Sequence, residues 1–383
     1  QEILKLGKKV VAIISSGSVV ELPFAKQVNG LLHAYLPGQA GAKAVLRILE
    51  GKVNPSGRLA ETYPFHLEDS PANKYFHMDP NMSEYRESIY VGYRYYEKAG
   101  VEVAYPFGYG LSYTKFEYSD LLTTKDGINV TVKNVGDFDG KEVVQLYVGK
   151  KDSNIFRPVR ELKGSKKIFL KKGEEIKIEI PFNEYTFRYF NVKTNKWEVE
   201  GGEYQLYIGR SATDVVLSDT IQIEGTTDVV PYLMEEVPSY YKADVQNVSQ
   251  EEFVKVYGKD VPDHSIVFYK KKRAVVNYWT TVEYLRYAPG WLGRLFAGVI
   301  RFAVKLLTAF GNKTLANTLV MGVYHEPMRG LSRMTGGGIH WDQLDGLIMA
   351  FNGHFFKGLH KFFKEGRRIK RLEKAERKAK EAK

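Results

Sequence analysis

Apolar residues group differently in successive stretches of this chain, and each grouping predicts a different element. Residues 9–15 hold a short apolar run, Val10 to Ile14, that stops at Ser16-Gly17-Ser18. A continuous run closed by a turn is the pattern of a parallel strand buried on both faces. Residues 30–36 form a second run, closed by Pro37-Gly38. Ala44, Val45, Ile48 and Leu49 then fall on one side of a helix over 40–49, with Gly51 as its stop. Strand, turn, strand, helix is the layout of an α/β domain. Two strands fall short of the roughly five or six of a doubly wound sheet, so the domain is expected to lack its N-terminal part. Residues 66–86 are polar and without period; so long a loop in a compact domain is usually functional or disordered.

From about Tyr113 the period becomes two. Ile128, Val130 and Val132 alternate with polar residues, as do Val144, Leu146 and Val148, then Ile176, Ile178 and Ile180, then Tyr204, Leu206 and Ile208. Turn clusters at 134–137, 172–174 and 200–202 separate them. Short alternating strands at this spacing predict a β-sandwich over 113–225. Residues 226–275 are mixed and are expected to be a linker with short helices. Beyond them Trp291 to Phe310 is apolar but interrupted by Arg294, Arg301 and Lys305. Its uncharged stretches fall far below the roughly 20 residues of a membrane span, so an amphipathic helix is predicted. Leu344, Leu347, Ile348, Phe351 and Phe355 follow the spacing of a second one. The fold class expected is mixed: a partial α/β domain over 1–112, an all-β sandwich, and an α-helical C-terminal region over 276–383.

Composition changes this picture in two places. The chain has 383 residues and no cysteine. A disulfide framework, a thiolate nucleophile and a Cys-ligated zinc are excluded. Lack of cysteine fits a reducing compartment and tilts the expected location towards the cytoplasm, although many secreted bacterial proteins also lack it. The first residue is Gln1, and a processed or truncated start is expected, so absence of a signal peptide decides nothing. Charge is the second place. Residues 276–383 hold 19 Lys and Arg against 8 Asp and Glu, which is the whole net charge of +11. Such asymmetry marks a separate C-terminal module. Its tail, 366–383, carries nine basic and three acidic residues. A cationic, Phe-rich helix can lie weakly on an anionic membrane surface or bind polyanions. A solvated, frayed helix ending a helical module that packs against the missing domains is the preferred reading, and nucleic acid is disfavoured as a partner.

Candidate chemistry concentrates in residues 83–96, where Glu87 sits in an aromatic, Gly-containing stretch after the polar loop. Such a setting can hold a carboxylic acid partly away from water and raise its pKa, as a general acid at neutral pH requires. Glu84 is the nearest competitor and reads as a solvated charge. Tyr93, Arg94, Tyr95 and Tyr96 read mainly as packing or ion-pair residues, and Ser16-Gly17-Ser18 as a tight turn. The eight His are scattered without metal-ligand spacing, so neither a metal site nor any cofactor is expected. Gly336-Gly337-Gly338 lacks the Lys-Ser/Thr of a phosphate loop.

Three motifs in fixed order carry a resemblance. Tyr35-Leu36-Pro37-Gly38-Gln39-Ala40-Gly41 is followed by Val53-Asn54-Pro55-Ser56-Gly57-Arg58-Leu59. Tyr85 to Tyr96 comes second, and Tyr105-Pro106-Phe107-Gly108-Tyr109-Gly110-Leu111-Ser112-Tyr113 third. Together they resemble the C-terminal part of a family 3 glycoside hydrolase of the β-glucosidase type. The sandwich resembles that family's fibronectin type III-like domain, with 157–164, Arg157 to Gly164, as a recognisable element. The resemblance covers roughly residues 1–225. Residues 226–383 resemble a tail of some bacterial members, through Pro327 to Leu331 and Thr335 to Gly338, with no activity implied.

The resemblance implies an α/β sandwich domain that supplies a general acid/base, a role that falls on Glu87. It implies a preceding (β/α)8 barrel that supplies the aspartate nucleophile and most contacts to a β-glucoside or related oligosaccharide. No stretch here matches the nucleophile motif. The chain is thus expected to be a C-terminal portion of a retaining β-glycosidase, inactive alone, with the barrel as its missing partner. The alternative is a non-catalytic carbohydrate-, surface- or partner-binding module. Substrate-binding residues, sugar preference and oligomeric state stay open.

Overall fold

The computed structural model describes residues 2–76, 83–261, 273, 275–336 and 338–381. It divides into two units, Gln1–Val261 and Pro262–Lys383.

In the first unit β1 (Val11–Ile14) pairs in parallel with β2 (Gly30–His33), Val11 opposite Gly30, and α1 (Gly41–Leu49) follows. The expectation of strands buried on both faces is corrected. Val11 is 50% and Ile13 47% exposed, because among the described residues this sheet has only two strands and too little is layered on it to cover them. The polar stretch after α1 holds the short β3 (Tyr63–Pro64), a 3₁₀ turn at Leu67–Asp69 and α2 (Asn73–Phe76). Part of the predicted loop, 77–82, lies outside the described residues. The chain then enters α3 (Tyr93–Ala99), and β4 (Val103–Tyr105) returns antiparallel to β3.

The motif segments owe their composition to one another. Leu59 N–H donates to the Tyr109 carbonyl, and Gly108 N–H to the Leu59 carbonyl, both at 2.8 Å. Asn54 Oδ1 accepts from Ser112 Oγ at 3.0 Å and from Tyr113 N–H at 2.8 Å. Arg58 pairs with Glu142 at 2.8 Å, nearly out of water. At Gly110 an added Cβ would lie 2.4 Å from the Gly57 carbonyl oxygen, so only glycine allows the two segments to approach this closely.

The sandwich follows the period-two pattern. Its strands are β5 (Phe116–Thr123), β6 (Gly127–Asn134), β7 (Gly140–Gly149), β8 (Glu161–Leu170), β9 (Glu175–Pro181), a hairpin of β10 (Arg188–Asn191) and β11 (Lys196–Val199), β12 (Gly202–Gly209) and β13 (Val215–Ile223). One sheet has the order β5-β6-β9 and the facing one β13-β12-β7-β8. Val130 lies opposite Ile178, and Leu146 opposite Ile208. The alternating residues point inward, so Ile128, Val130, Val132, Val144, Leu146, Val148, Ile178, Ile180, Tyr204, Leu206 and Ile208 form one core, with the exception of Ile176, which is exposed at the start of β9. Burying such a side chain is worth about 1.5–3 kcal/mol.

The short helices expected over 226–275 are present in 226–261, which is packed into the first unit; 262–272 and 274 lie outside the described residues. The segment forms α4 (Pro238–Lys242) and α5 (Gln250–Tyr257) and belongs to the first unit. Val237, Tyr240, Val245, Val248 and Phe253 are buried with Tyr90, Tyr95 and Tyr96 in a second core. Five of the nine buried residues of that core are aromatic, and aromatic side chains bury large areas each, which is why a segment with no clear period still docks.

The second unit is helical: α6 (Trp291–Ala309), α7 (Lys313–Leu319), α8 (Leu331–Met334), α9 (Trp341–Phe351) and α10 (Phe355–Glu381). The helix predicted to run from Leu344 through Phe355 breaks at Gly353, whose φ of 99° suits glycine, so Phe355 begins the next helix. Leu344, Phe351, Ala297, Leu285, Val282 and Met328 form its core.

Candidate functional site

Glu87 lies in the turn 86–89 that leads to α3. Its carbonyl accepts the Tyr90 N–H at 2.9 Å, and Ser88 takes a left-handed φ of 51° to complete the turn. Gly92, at φ 57°, opens α3. The side chains around the turn alternate: Tyr85 and Val91 are exposed, whereas Arg86, Glu87 and Tyr90 are buried.

The Glu87 side chain is 7% exposed, and its Oε2 has no hydrogen-bond partner. Burial removes the water that would stabilise the charged form and raises the carboxyl pKa, opposed by a hydrogen bond from its own backbone. The carboxyl lies within electrostatic reach of the Tyr240 hydroxyl, which is itself buried and unpartnered. A buried carboxyl with one oxygen left unpartnered favours its neutral form. Such a group can donate a proton and afterwards take one back.

Arg86, the preceding residue, fixes the turn. Its Nη1 donates to the Val248 carbonyl at 3.0 Å, its Nη2 to Gln250 and its Nε to Glu84 at 2.5 Å. Its guanidinium also lies 4.7 Å from the Tyr75 ring and 4.9 Å from that of Phe253. Glu84 is therefore an ion-pair residue and not the solvated charge expected. Tyr75 donates its hydroxyl to the carbonyls of Gln246 and Val248 at 3.1 and 3.2 Å. Arg86, Tyr75 and the 226–261 segment escaped the sequence reading. The one local signal was the apolar Val237, Val245 and Val248 among tyrosines, which is too irregular to mark a covering element.

Tyr93 is tied to β8 of the sandwich. Its hydroxyl accepts the Leu162 N–H at 2.8 Å, and its ring stacks on Phe107 at 4.7 Å. Arg94 pairs with Glu161 at 3.1 Å, and Arg160 with Glu97. These pairs and the Arg157–Glu200 bridge at 3.1 Å tie the 157–164 element to its surroundings. Tyr95 and Tyr96 are buried in the second core. Ser16 Oγ donates to the Ser18 carbonyl at 2.7 Å, closing a tight turn. Among the described residues no three His, Asp or Glu side chains are grouped to hold a metal ion.

Comparison with known proteins finds two matching segments. Residues 1–113 match the glycosyl hydrolase family 3 C-terminal domain, and residues 142–212 a fibronectin type III-like domain. Thermostable beta-glucosidase B of Acetivibrio thermocellus is 42% identical over 237 residues, 60% of this chain and 31% of that protein. An exo-alpha-(1->6)-L-arabinopyranosidase of Bifidobacterium breve is 38% identical over 237 residues, with the same shares. The crystal structure of a Bifidobacterium adolescentis GH3 beta-glucosidase superposes with a TM-score of 0.57 at 34% identity, over 70% of this chain and 39% of that one. The chain thus spans about a third of the curated relatives it matches, 31% of each of these two.

Proposed function

We propose, from the premise that this chain resembles the C-terminal part of a family 3 glycoside hydrolase with its fibronectin type III-like domain, that Glu87 is the general acid/base of a retaining β-glycosidase. On this reading residues 1–112 are the incomplete α/β sandwich domain and 113–225 the fibronectin type III-like one. The nucleophile belongs to a (β/α)8 barrel outside this sequence. The observation that carries the proposal is the buried Glu87 carboxyl with an unpartnered oxygen and a raised pKa, inside the second of the three motifs.

Retention requires two carboxyl groups about 5 Å apart across the glycosidic bond. In the first half-reaction the neutral Glu87 gives its proton to the leaving oxygen as the bond to the anomeric carbon breaks, and the barrel carboxylate bonds to that carbon. In the second, Glu87, now a carboxylate, takes a proton from water as water displaces the barrel carboxylate. The substrate class is a terminal non-reducing β-D-glucosyl residue. Relatives named for β-glucosidase and for L-arabinopyranosidase activity match over equal lengths here, so sugar selection is assigned to the barrel.

The test uses a chain complemented with, or fused to, a family 3 barrel. Glu87→Gln in that enzyme, given an activated aryl β-glucoside and azide, should recover turnover and form the β-glycosyl azide. An unrescued variant, or rescue of Glu84→Gln instead, would remove Glu87 from the role.

A further inference from the structure

We infer that the second unit docks on an anionic lipid surface through the outward face of α6, a property independent of the glycosidase reading. The helix is 19 residues long, roughly 28 Å, and apolar almost all round. Gly293, Leu292, Ala297, Phe296 and Ile300 face the unit's own core. Trp291, Leu295, Val299, Phe302 and Leu306, with Phe310 at its end, are instead exposed, Phe302 at 65% and Phe310 at 78%. At about 100° per residue these six fall within an arc of roughly 100°, a continuous stripe along the helix. A helix apolar on both faces is ordinarily buried on both, and this one is covered on one only.

Charge identifies what covers the other. Arg301 and Lys305 fall within an arc of roughly 40° beside the stripe, placed to reach headgroups while their stems lie along acyl chains. Arg294, on the same side, is half-buried and donates to the Ala288 and Pro289 carbonyls at 2.8 Å. No Asp or Glu occurs between Glu283 and Glu326, a span with five Lys and Arg. The stripe continues past Trp291, whose ring lies 5.2 Å from Phe355, itself 5.3 Å from Phe356, which is 84% exposed. From Phe355 to Lys364 α10 adds three lysines and no acid. No helix among the described residues is long and apolar enough to cross a membrane. An apolar stripe flanked by cations on a helix that does not span is the form of an interfacial helix. The sequence pointed to the charged tail; the structure moves the contact to α6 and the start of α10.

The full chain is tested by co-sedimentation with phosphatidylcholine vesicles, with and without phosphatidylglycerol, at about 0.1 and 0.5 M salt. Binding to the anionic vesicles at low salt is expected, at least tenfold weaker on neutral ones. The Leu295→Glu/Phe302→Glu variant, at exposed positions and so expected to keep its helical circular dichroism, should lose binding at least tenfold. Arg301→Gln/Lys305→Gln should lose several-fold on anionic vesicles only. No binding to anionic vesicles, or binding unaffected by Leu295→Glu/Phe302→Glu, overturns the proposal. So does a dimer in solution that the same variant dissociates, which would make the stripe a contact between two copies.

Discussion

Tyr90, three residues after Glu87, donates its hydroxyl hydrogen to the backbone carbonyl of Tyr240 at 2.6 Å. Both side chains are fully buried, and 149 residues separate them along the chain. The turn that carries Glu87 is therefore held from outside its own domain segment, by α4 and α5.

That arrangement predicts the effect of losing Arg86. Arg86→Ala removes the donors to Val248, Gln250 and Glu84. Hydrogen bonds that involve a charged group are worth about 1.5–3 kcal/mol each. Urea denaturation of the isolated chain should show a loss of this order. Hydrogen exchange at Ser88 and Tyr90 should quicken more than at the sandwich core, and uniform acceleration would refute a local clamp.

Glu87 itself should destabilise the fold at neutral pH. Its folded pKa is raised from 4.5 by burial, so the folded state binds the proton more tightly than the unfolded chain. Stability from this group is then fully present below about pH 4.5 and is lost as pH rises through the folded pKa. Glu87→Gln keeps a neutral side chain at every pH. The variant should be more stable than the parent at pH 7, by on the order of 1–3 kcal/mol, with the gap closing towards pH 4. Thermal melts of both proteins at the two pH values decide it, and equal melting at pH 7 would count against a buried carboxyl with an unpartnered oxygen.

Gly110→Ala tests the motif geometry. The added Cβ meets the Gly57 carbonyl at 2.4 Å, and backbone, not a flexible side chain, must yield. Overpacking of this kind costs about 1–3 kcal/mol. The melting temperature should fall, whereas Gly57→Ala, which meets nothing within 4 Å, should change it little.

These residues also mark how far the sequence could be read. The sandwich was legible because one face of its central strands is buried, so burial imposes period two on Ile128, Val130 and Val132 and on their partners. The acid/base role proposed for Glu87 came only from the motifs around it. Its cover was not legible. Tyr240 and Val248 meet Tyr90 and Arg86 through backbone carbonyls, and a carbonyl acceptor imposes no residue type. The exposure of Val11 and Ile13 and of the Phe302 stripe was likewise hidden, since an apolar run reads the same with or without a covering partner.

Leaving-group dependence is the sharpest check on the chemistry. General acid/base catalysis contributes about 10²–10⁴-fold, and only where the leaving oxygen needs a proton. In a barrel-complemented enzyme Glu87→Gln should therefore lower kcat/KM by about that factor for alkyl glucosides and disaccharides. It should hardly change kcat/KM for dinitrophenyl glucoside, whose phenolate departs unprotonated. The second half-reaction still needs a base, so kcat for the activated substrate should fall and be restored by azide. A plot of log kcat/KM against leaving-group pKa steepens in the variant if Glu87 is the acid. A uniform drop across the series would assign Glu87 to holding the turn, and the acid would then be sought elsewhere.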